Sequence, residues 1–204
     1  MSRNERPKLP KPGQSKQKPR RKPDERTRRT CERLGSALVT LIQERPIDDV
    51  TVQDVLDRAA VGRSTFYLHY RDKNDLLLSQ LEKFLEMMST ALSLRKEESH
   101  RVVPVAELFA HIGDQRKLYR VLADAGRLND FWDLAQGYFT RGIARRLTES
   151  GRLSKLPKRE LAARASALAG SLLSLLRWWL DGAAKESPHA MDELFHRMVW
   201  NGLQ

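Results

Sequence analysis

The sequence has a single cysteine, Cys31, among 204 residues. That excludes an intrachain disulfide framework and fits a reducing compartment. It also lacks an apolar run long enough to cross a bilayer, the longest candidates being interrupted by Arg177 or Asp181. The basic opening, MSRNERPKLPKPGQSKQKPRRK, has the charge of a signal peptide but no apolar segment after it. These absences predict a cytoplasmic protein with no membrane partner. No stretch of convincing length alternates with period two, so strands are not expected. His69, His100, His111, His189 and His196 show no metal-ligand spacing such as HExxH. His189 and His196 fall two helical turns apart and read as solvated or interface residues instead of zinc ligands. Walker and dinucleotide glycine patterns are missing. No catalytic residue, metal site or cofactor is assigned, and the chain is not expected to be an enzyme.

What is present begins with charge. The net charge is +11, and residues 1–30 hold twelve Lys/Arg against Glu5, Asp24 and Glu25, a net +9. The remaining 174 residues therefore carry only +2. Pro7, Pro10, Pro12, Pro19 and Pro23 keep the first segment extended, so residues 1–23 are expected to be a disordered basic tail. A cationic tail on a near-neutral body suits a polyanion, either nucleic acid or an anionic membrane. The apolar residues that accompany polybasic membrane anchoring are absent. A purely solubilising tail would have the same composition.

Helical periodicity organises the rest. Leu34, Leu38, Leu41 and Ile42 share one helical face, and Pro46 ends that helix. Thr51 caps a second helix with Asp54 at the capping-box position, and Val52, Val55, Leu56 and Ala59 form its apolar stripe. Ala60-Val61-Gly62 is a hinge, after which Phe66 and Tyr70 point inward from a short third helix. Asp72 caps a long fourth helix with the stripe Leu77, Leu81, Phe84, Leu85, Met88 and Leu92. Further helices are predicted over about 104–113, 115–125, 128–149, 157–182 and 188–202. The last starts with Ser187 as cap and Pro188 at its first position, and its stripe is Met191, Leu194, Phe195, Met198 and Val199. The fold class is all-α: a three-helix helix-turn-helix domain over 24–71, then a helical bundle over 72–204.

Two short helices joined by a three-residue hinge match a helix-turn-helix, in which the first helix braces the second. Packing accounts for the apolar positions, which leaves Arg63, Ser64, Thr65, Tyr67, Leu68 and His69 on a very short element. Such a helix can enter the DNA major groove. Arg63 matches guanine O6 and N7, and Thr65 matches thymine or a phosphate. Tyr67 and His69 suit phosphate oxygens, which set register without reading sequence. Thr51 and Lys73 begin the flanking helices, where N–H groups and side chains can hold phosphates. Arg26 and Arg28, in the charge block at the start of the first helix, are further candidate DNA contacts. A solvated helical hairpin that never touches DNA would also carry Ser, Thr and Arg on its outer face.

The stretch TVQDVLDRAAVGRSTFYLHYRDKNDLL resembles the DNA-binding domain of the TetR family of bacterial transcriptional regulators. The resemblance covers roughly residues 27–80. It rests on Thr51, the hinge Ala60-Val61-Gly62, the run Thr65-Phe66-Tyr67-Leu68-His69-Tyr70, and Lys73 followed by Leu76. The family often has Gly where this chain has Ala60, and Ser or Asn where it has Gly62. The resemblance implies a homodimer with one helix-turn-helix per subunit, binding double-stranded DNA at a palindromic operator. It also implies DNA contacts at Thr51, Arg63, Ser64, Thr65, Tyr67, His69 and Lys73. A regulator of this kind, and a repressor in particular, is the leading expectation.

The carboxy-terminal half is less legible. The resemblance implies that its helices form the dimer interface and enclose an effector pocket. The ending LLRWWLDGAAKESPHAMDELFHRMVWNGL is similar to a subgroup with Trp-Trp before a Ser-Pro-started last helix, so the helices near 157–182 and 188–202 are expected at the interface. Phe109, His111, Tyr119, Phe131, Trp132, Tyr138 and Trp178 are candidates for the pocket of an unknown small-molecule effector. The same aromatics suit a bundle core, and a protein effector fits this half as well. The alternative from another class is a dimeric helical interaction protein that recruits a protein partner and binds nucleic acid only weakly and non-specifically.

Overall fold

The computed structural model describes residues 25–95, 99–126, 128–149, 156–182 and 185–202. The basic tail of residues 1–23 lies outside them. In chain order the helices are α1 (Glu25–Glu44), α2 (Val52–Ala59), α3 (Arg63–Tyr67), α4 (Lys73–Leu94) and α5 (Val105–Asp114). They continue with α6 (Arg116–Asp124), α7 (Leu128–Glu149), α8 (Lys158–Asp181) and α9 (Pro188–Gly202). Among the described residues there is no strand, and no helix is long and apolar enough to cross a membrane.

Local chemistry sets most of the boundaries. Pro46 follows the end of α1, because its ring disfavours helix at Arg45. The Thr51 hydroxyl accepts from the Asp54 N–H at 3.1 Å, while the Asp54 carboxylate accepts from the Thr51 N–H at 2.8 Å, a reciprocal capping box. Asp72 caps α4 by accepting from the N–H groups of Asn74 and Asp75. Asp75 reaches back to the N–H and guanidinium of Arg71 instead of to Asp72 itself, one residue beyond an ordinary box. At α9 the Ser187 hydroxyl accepts from the Ala190 N–H at 3.1 Å.

Tertiary packing then orders these elements around one apolar core. Leu34, Leu38, Leu41 and Ile42 of α1 are buried, with Phe66 of α3 and Leu76 and Leu77 of α4 in the same cluster. Helix α1 touches α2, α4 and α6. Helix α4 carries on from the helix-turn-helix into the second half, where it crosses α7, and α7 lies along α8. Gly142 marks that first crossing, since a β-carbon there would run into the backbone carbonyl of Ser89. Met198 departs from the predicted stripe of α9. Met191, Phe195 and Val199 are buried, but Met198 is turned outward. The buried residues Met191, Asp192, Phe195, His196 and Val199 centre that face near Val199, and Met198 lies about 100° around the helix from Val199, outside it.

Two polar ties hold the elements in register. The Lys73 ammonium donates to the carbonyls of Ile47, Asp48 and Val50 at 2.7, 3.0 and 2.6 Å. It thereby fastens α4 to the 3₁₀ turn over Ile47–Asp49. Three donors meet three acceptors, so the side chain expected on a phosphate is committed to the connector. In the second half, Asp192 of α9 accepts from Arg101 at 2.8 Å and from the Ala106 N–H at 3.0 Å. Glu107 also pairs with Arg101. His196, expected to be solvated or at an interface, is buried here. Its Nε2 accepts from the Val102 N–H at 3.1 Å, which places the ring proton on Nδ1, beside the Asp192 carbonyl at 2.8 Å. Burial opposes ionisation of Asp192. Hydrogen bonds from His196, Ala106 and Arg101 outweigh it and hold the carboxyl down at about 2.

Replacing Lys73 with Met should lower unfolding free energy by about 2–3 kcal/mol, the value of hydrogen bonds from a charged donor, read by urea titration. Asp192→Asn should cost about 2–4 kcal/mol at neutral pH, because Arg101 loses a charged partner. The folded-state pKa of Asp192 lies below its unfolded value of 3.8, so its contribution is complete above about pH 4 and fades toward about pH 2. Unfolding curves across that window should therefore fall less steeply with acid for Asp192→Asn than for the parent.

Candidate nucleic-acid interface

The hinge that aims α3 is set by the backbone of three residues. Ala60 adopts the left-handed conformation, φ 48° and ψ 52°, the only non-glycine residue among those described with positive φ. The N–H of Ala60 donates to Asp57 and that of Val61 to the Leu56 carbonyl at 3.1 Å, a Schellman closure of α2. An alanine in this conformation costs about 1–2 kcal/mol relative to its right-handed state. Arg33 of α1 offsets part of it by donating to the carbonyls of Ala59 and, at 3.0 Å, Ala60. Gly62 is extended, φ −69° and ψ 147°, and a β-carbon there would find only the Thr65 hydroxyl at 4.0 Å. Its glycine meets no backbone demand, and it leaves the surface before α3 bare.

Phe66 and Tyr70 fasten α3 from below, their ring centroids 5.8 Å apart and both side chains buried. Burial, foremost, raises the Tyr70 phenol to about 12, so it stays neutral as part of the core. With that face anchored, Arg63, Ser64, Tyr67 and Leu68 are exposed, Tyr67 by 51% and Leu68 by 79%. The Arg63 guanidinium lies 6.0 Å from the centre of the Tyr67 ring, at the outer reach of a cation–π contact. Thr65 is half-buried and faces the first helix. His69 was expected on α3 but lies in the turn after it, its N–H donating to the Phe66 carbonyl at 2.9 Å.

A groove runs from the start of α3 to the beginning of α1, with Arg26, Arg29, Arg33, Gly62 and Thr65 in its walls. Arg26 is thus brought beside the α3 face, as a DNA contact would require. Arg28 lies outside that groove and pairs with Glu32 at 3.0 Å. Arg29 and Arg33 escaped the sequence reading, although Arg26, Arg29 and Arg33 at i, i+3 and i+7 mark one basic face of a helix. Thr51 sits at the other end of the motif with its hydroxyl committed to Asp54 at 2.7 Å. That hydroxyl and the Thr51 N–H, followed by Arg45, hold the Asp54 carboxyl down to about 2. Thr51 and Lys73 therefore frame the motif through bonds within the protein.

The aromatics named for an effector pocket separate. A cavity of about 300 Å³ opens between α6, α7 and α8, and of those residues only Tyr119 and Trp132 line it. Phe109 is core, 5.0 Å from the Trp179 ring, and Phe131 packs edge-on to Tyr119 at 5.5 Å. His111 stacks on Phe84 at 4.4 Å, and burial lowers its pKa. Tyr138 stays beside Arg141, whose guanidinium is 4.7 Å from its ring. Trp178 is 54% exposed, while its neighbour Trp179 enters the core. Successive residues on a helix diverge by about 100°, and with Trp179 turned toward Phe109 its neighbour Trp178 is turned outward.

Residues 36–79 match the family model described as bacterial regulatory proteins, tetR family. An HTH-type transcriptional regulator of Bacillus subtilis (strain 168), YxbF, is 23% identical over 176 residues, which span 81% of this chain and 43% of that protein. The chain thus spans less than half the length of this curated relative. Among solved structures, the dihydroxyacetone kinase operon activator DhaS superposes with a TM-score of 0.65 at 12% identity, covering 85% of this chain and 95% of that one. A TetR-family regulator from Syntrophomonas wolfei str. Goettingen gives 0.60 at 19% identity, with 87% and 97% covered. These two likenesses are of fold. The helix-turn-helix built on Thr51, Ala60 and Phe66 falls inside the matched segment, so this part of the chain matches the model of the tetR family of bacterial regulatory proteins.

Proposed function

We propose that the protein binds a palindromic operator as a homodimer and acts as a repressor that an effector in the carboxy-terminal half releases. One observation carries the reading: the exposed face of α3, with Arg63, Ser64 and Tyr67, adjoins an arginine-walled groove that contains Arg26 and Thr65. Arg63 reads a guanine edge and Thr65 a neighbouring base or phosphate. Ser64, Tyr67, His69 and Arg26 hold phosphates and set the register. Occupying the operator is enough to repress, so no recruited partner is required. The basic tail adds contacts to the DNA backbone that depend on salt and not on sequence.

A two-fold operator asks for a two-fold protein. Outward-facing Trp178 on α8 and Met198 on α9 support pairing through those helices, because large apolar side chains left in water favour association. The cavity beside Tyr119 and Trp132 supports an effector site in the same half of the chain.

Selection from a random DNA pool should enrich a palindrome with half-sites about one helical turn apart. On that operator Arg63→Ala should relax discrimination at one position per half-site by about 1–3 kcal/mol. Tyr67→Phe should weaken binding equally on all sequences. Full affinity and full discrimination in an Arg63→Ala/Tyr67→Ala protein would overturn the assignment. Sedimentation of a Trp178→Glu/Met198→Glu variant should show monomers and a matching loss of operator affinity. A dimer of unchanged strength would place the interface on another face.

A further inference from the structure

The cavity between α6, α7 and α8 has a chemistry of its own. Helix α6 contributes Arg116, Tyr119, Arg120 and Ala123, at i, i+3, i+4 and i+7, so one face of this short helix forms a wall. Leu128, Trp132 and Leu180 supply an apolar floor, and Arg177 and Asp181 stand on α8. Three guanidinium groups thus share a space of about 300 Å³ with one carboxylate. That size is at the lower edge of the roughly 300–1,000 Å³ typical of small-molecule sites.

The partners of these groups sharpen the picture. Arg116 donates to the Leu180 carbonyl at 3.0 Å, which ties the start of α6 to the end of α8. The Arg177 guanidinium lies over the Trp132 ring, 4.7 Å from its centre. Among the described residues, neither Arg120 nor Arg177 forms an ion pair. Tyr119 is only 5% exposed, yet no hydrogen bond holds its hydroxyl among the described residues. That hydroxyl is left to donate to an occupant of the cavity that Tyr119 lines.

We infer that this cavity binds a small organic carboxylate whose apolar body rests on Trp132, Leu128 and Leu180. Its anionic head is held by Arg120 and Arg177, and it accepts a hydrogen bond from Tyr119. Arginine is suited to the task because its planar fork meets both carboxylate oxygens and sheds water easily. This names the ligand class for the effector site proposed above and rests on that reading. The same helix supplies the means of transmission. Opposite its cavity face, α6 directs Lys117 and Val121 toward the end of α1, and Gln115 just before it accepts from the Gln43 amide at 2.7 Å. A ligand that draws α6 toward α8 therefore loads the helix on which the helix-turn-helix is built.

Full-length protein without DNA would be titrated with phenylacetate and octanoate and, in parallel, with phenylacetamide and octanamide, following tryptophan fluorescence and thermal unfolding. The acids should bind about tenfold more tightly than their amides, the margin of a charge-assisted pair over a neutral one. Arg120→Gln/Arg177→Gln should abolish that preference, and Tyr119→Phe should weaken the acids severalfold. Both arginines are exposed, and the double variant should retain helicity and ligand-free operator affinity. Equal binding of acids and amides, no binding of either, or a preference that survives the double substitution would overturn the site. Operator binding is measured separately. Acids that bind as expected without lowering operator affinity would confirm the site and overturn the release mechanism, whereas lack of operator binding in ligand-free protein would refute the regulator reading alone.

Discussion

Helix α1 is packed on three sides, against α2, α4 and α6, and the rest of the structure depends on that confinement. Its apolar stripe of Leu34, Leu38, Leu41 and Ile42 is buried, each side chain contributing about 1.5–3 kcal/mol through removal from water. The same helix supplies polar closures at both ends of α2. Arg33 takes the last carbonyls of α2, while Arg45 just beyond α1 pairs with Asp54 of the capping box at 2.7 Å. Glu44 adds a bidentate pair to Arg58, although both groups are well exposed and such pairs contribute little. The orientation of α3 thus follows from that of α1, because the hinge is too short to let α3 choose its own.

Two kinds of interaction divide the work between the halves. The helix-turn-helix is held by caps and apolar anchors near one another in sequence, which keeps Arg63 and Tyr67 in a fixed relation. The second half is joined by contacts far apart in sequence, above all Arg101 with Asp192 and the Val102 N–H with His196. Such a cluster specifies one arrangement of α5 against α9, since any slip would leave a charge buried without its partner. Helix α6 lies between these regimes. It touches α1, α5 and α7, and it carries the cavity on its other face.

Much of the fold was legible in the sequence because its signals are local. Thr51 with Asp54, Ser187 with Pro188, and Phe66 with Tyr70 all act across three or four residues or fewer, and each lies where periodicity and capping place it. The predicted spans 128–149 and 188–202 coincide with α7 and α9. The exposed face of α3 was legible for the same reason: once Phe66 and Tyr70 point inward, the direction of Arg63 and Tyr67 follows from helix geometry. His69 was misplaced because Leu68 ends α3 a turn early, a detail that depends on how Tyr70 is drawn into the core.

What remained hidden were the destinations of long side chains. Lys73 reaches back more than twenty residues to three carbonyls, and no spacing rule distinguishes that from a phosphate contact. The choice between Trp178 and Trp179 depends on the direction from which Phe109 approaches α8, and the sorting of seven aromatics into core, surface and cavity depends on the helix crossings. By itself the sequence determined the helices, their caps and the polar face of α3, because these depend on interactions within a turn or two of chain. Only the tertiary structure decided which charged and aromatic groups were already committed to the protein and which were left for a ligand or DNA, because those partners meet only after the helices have packed.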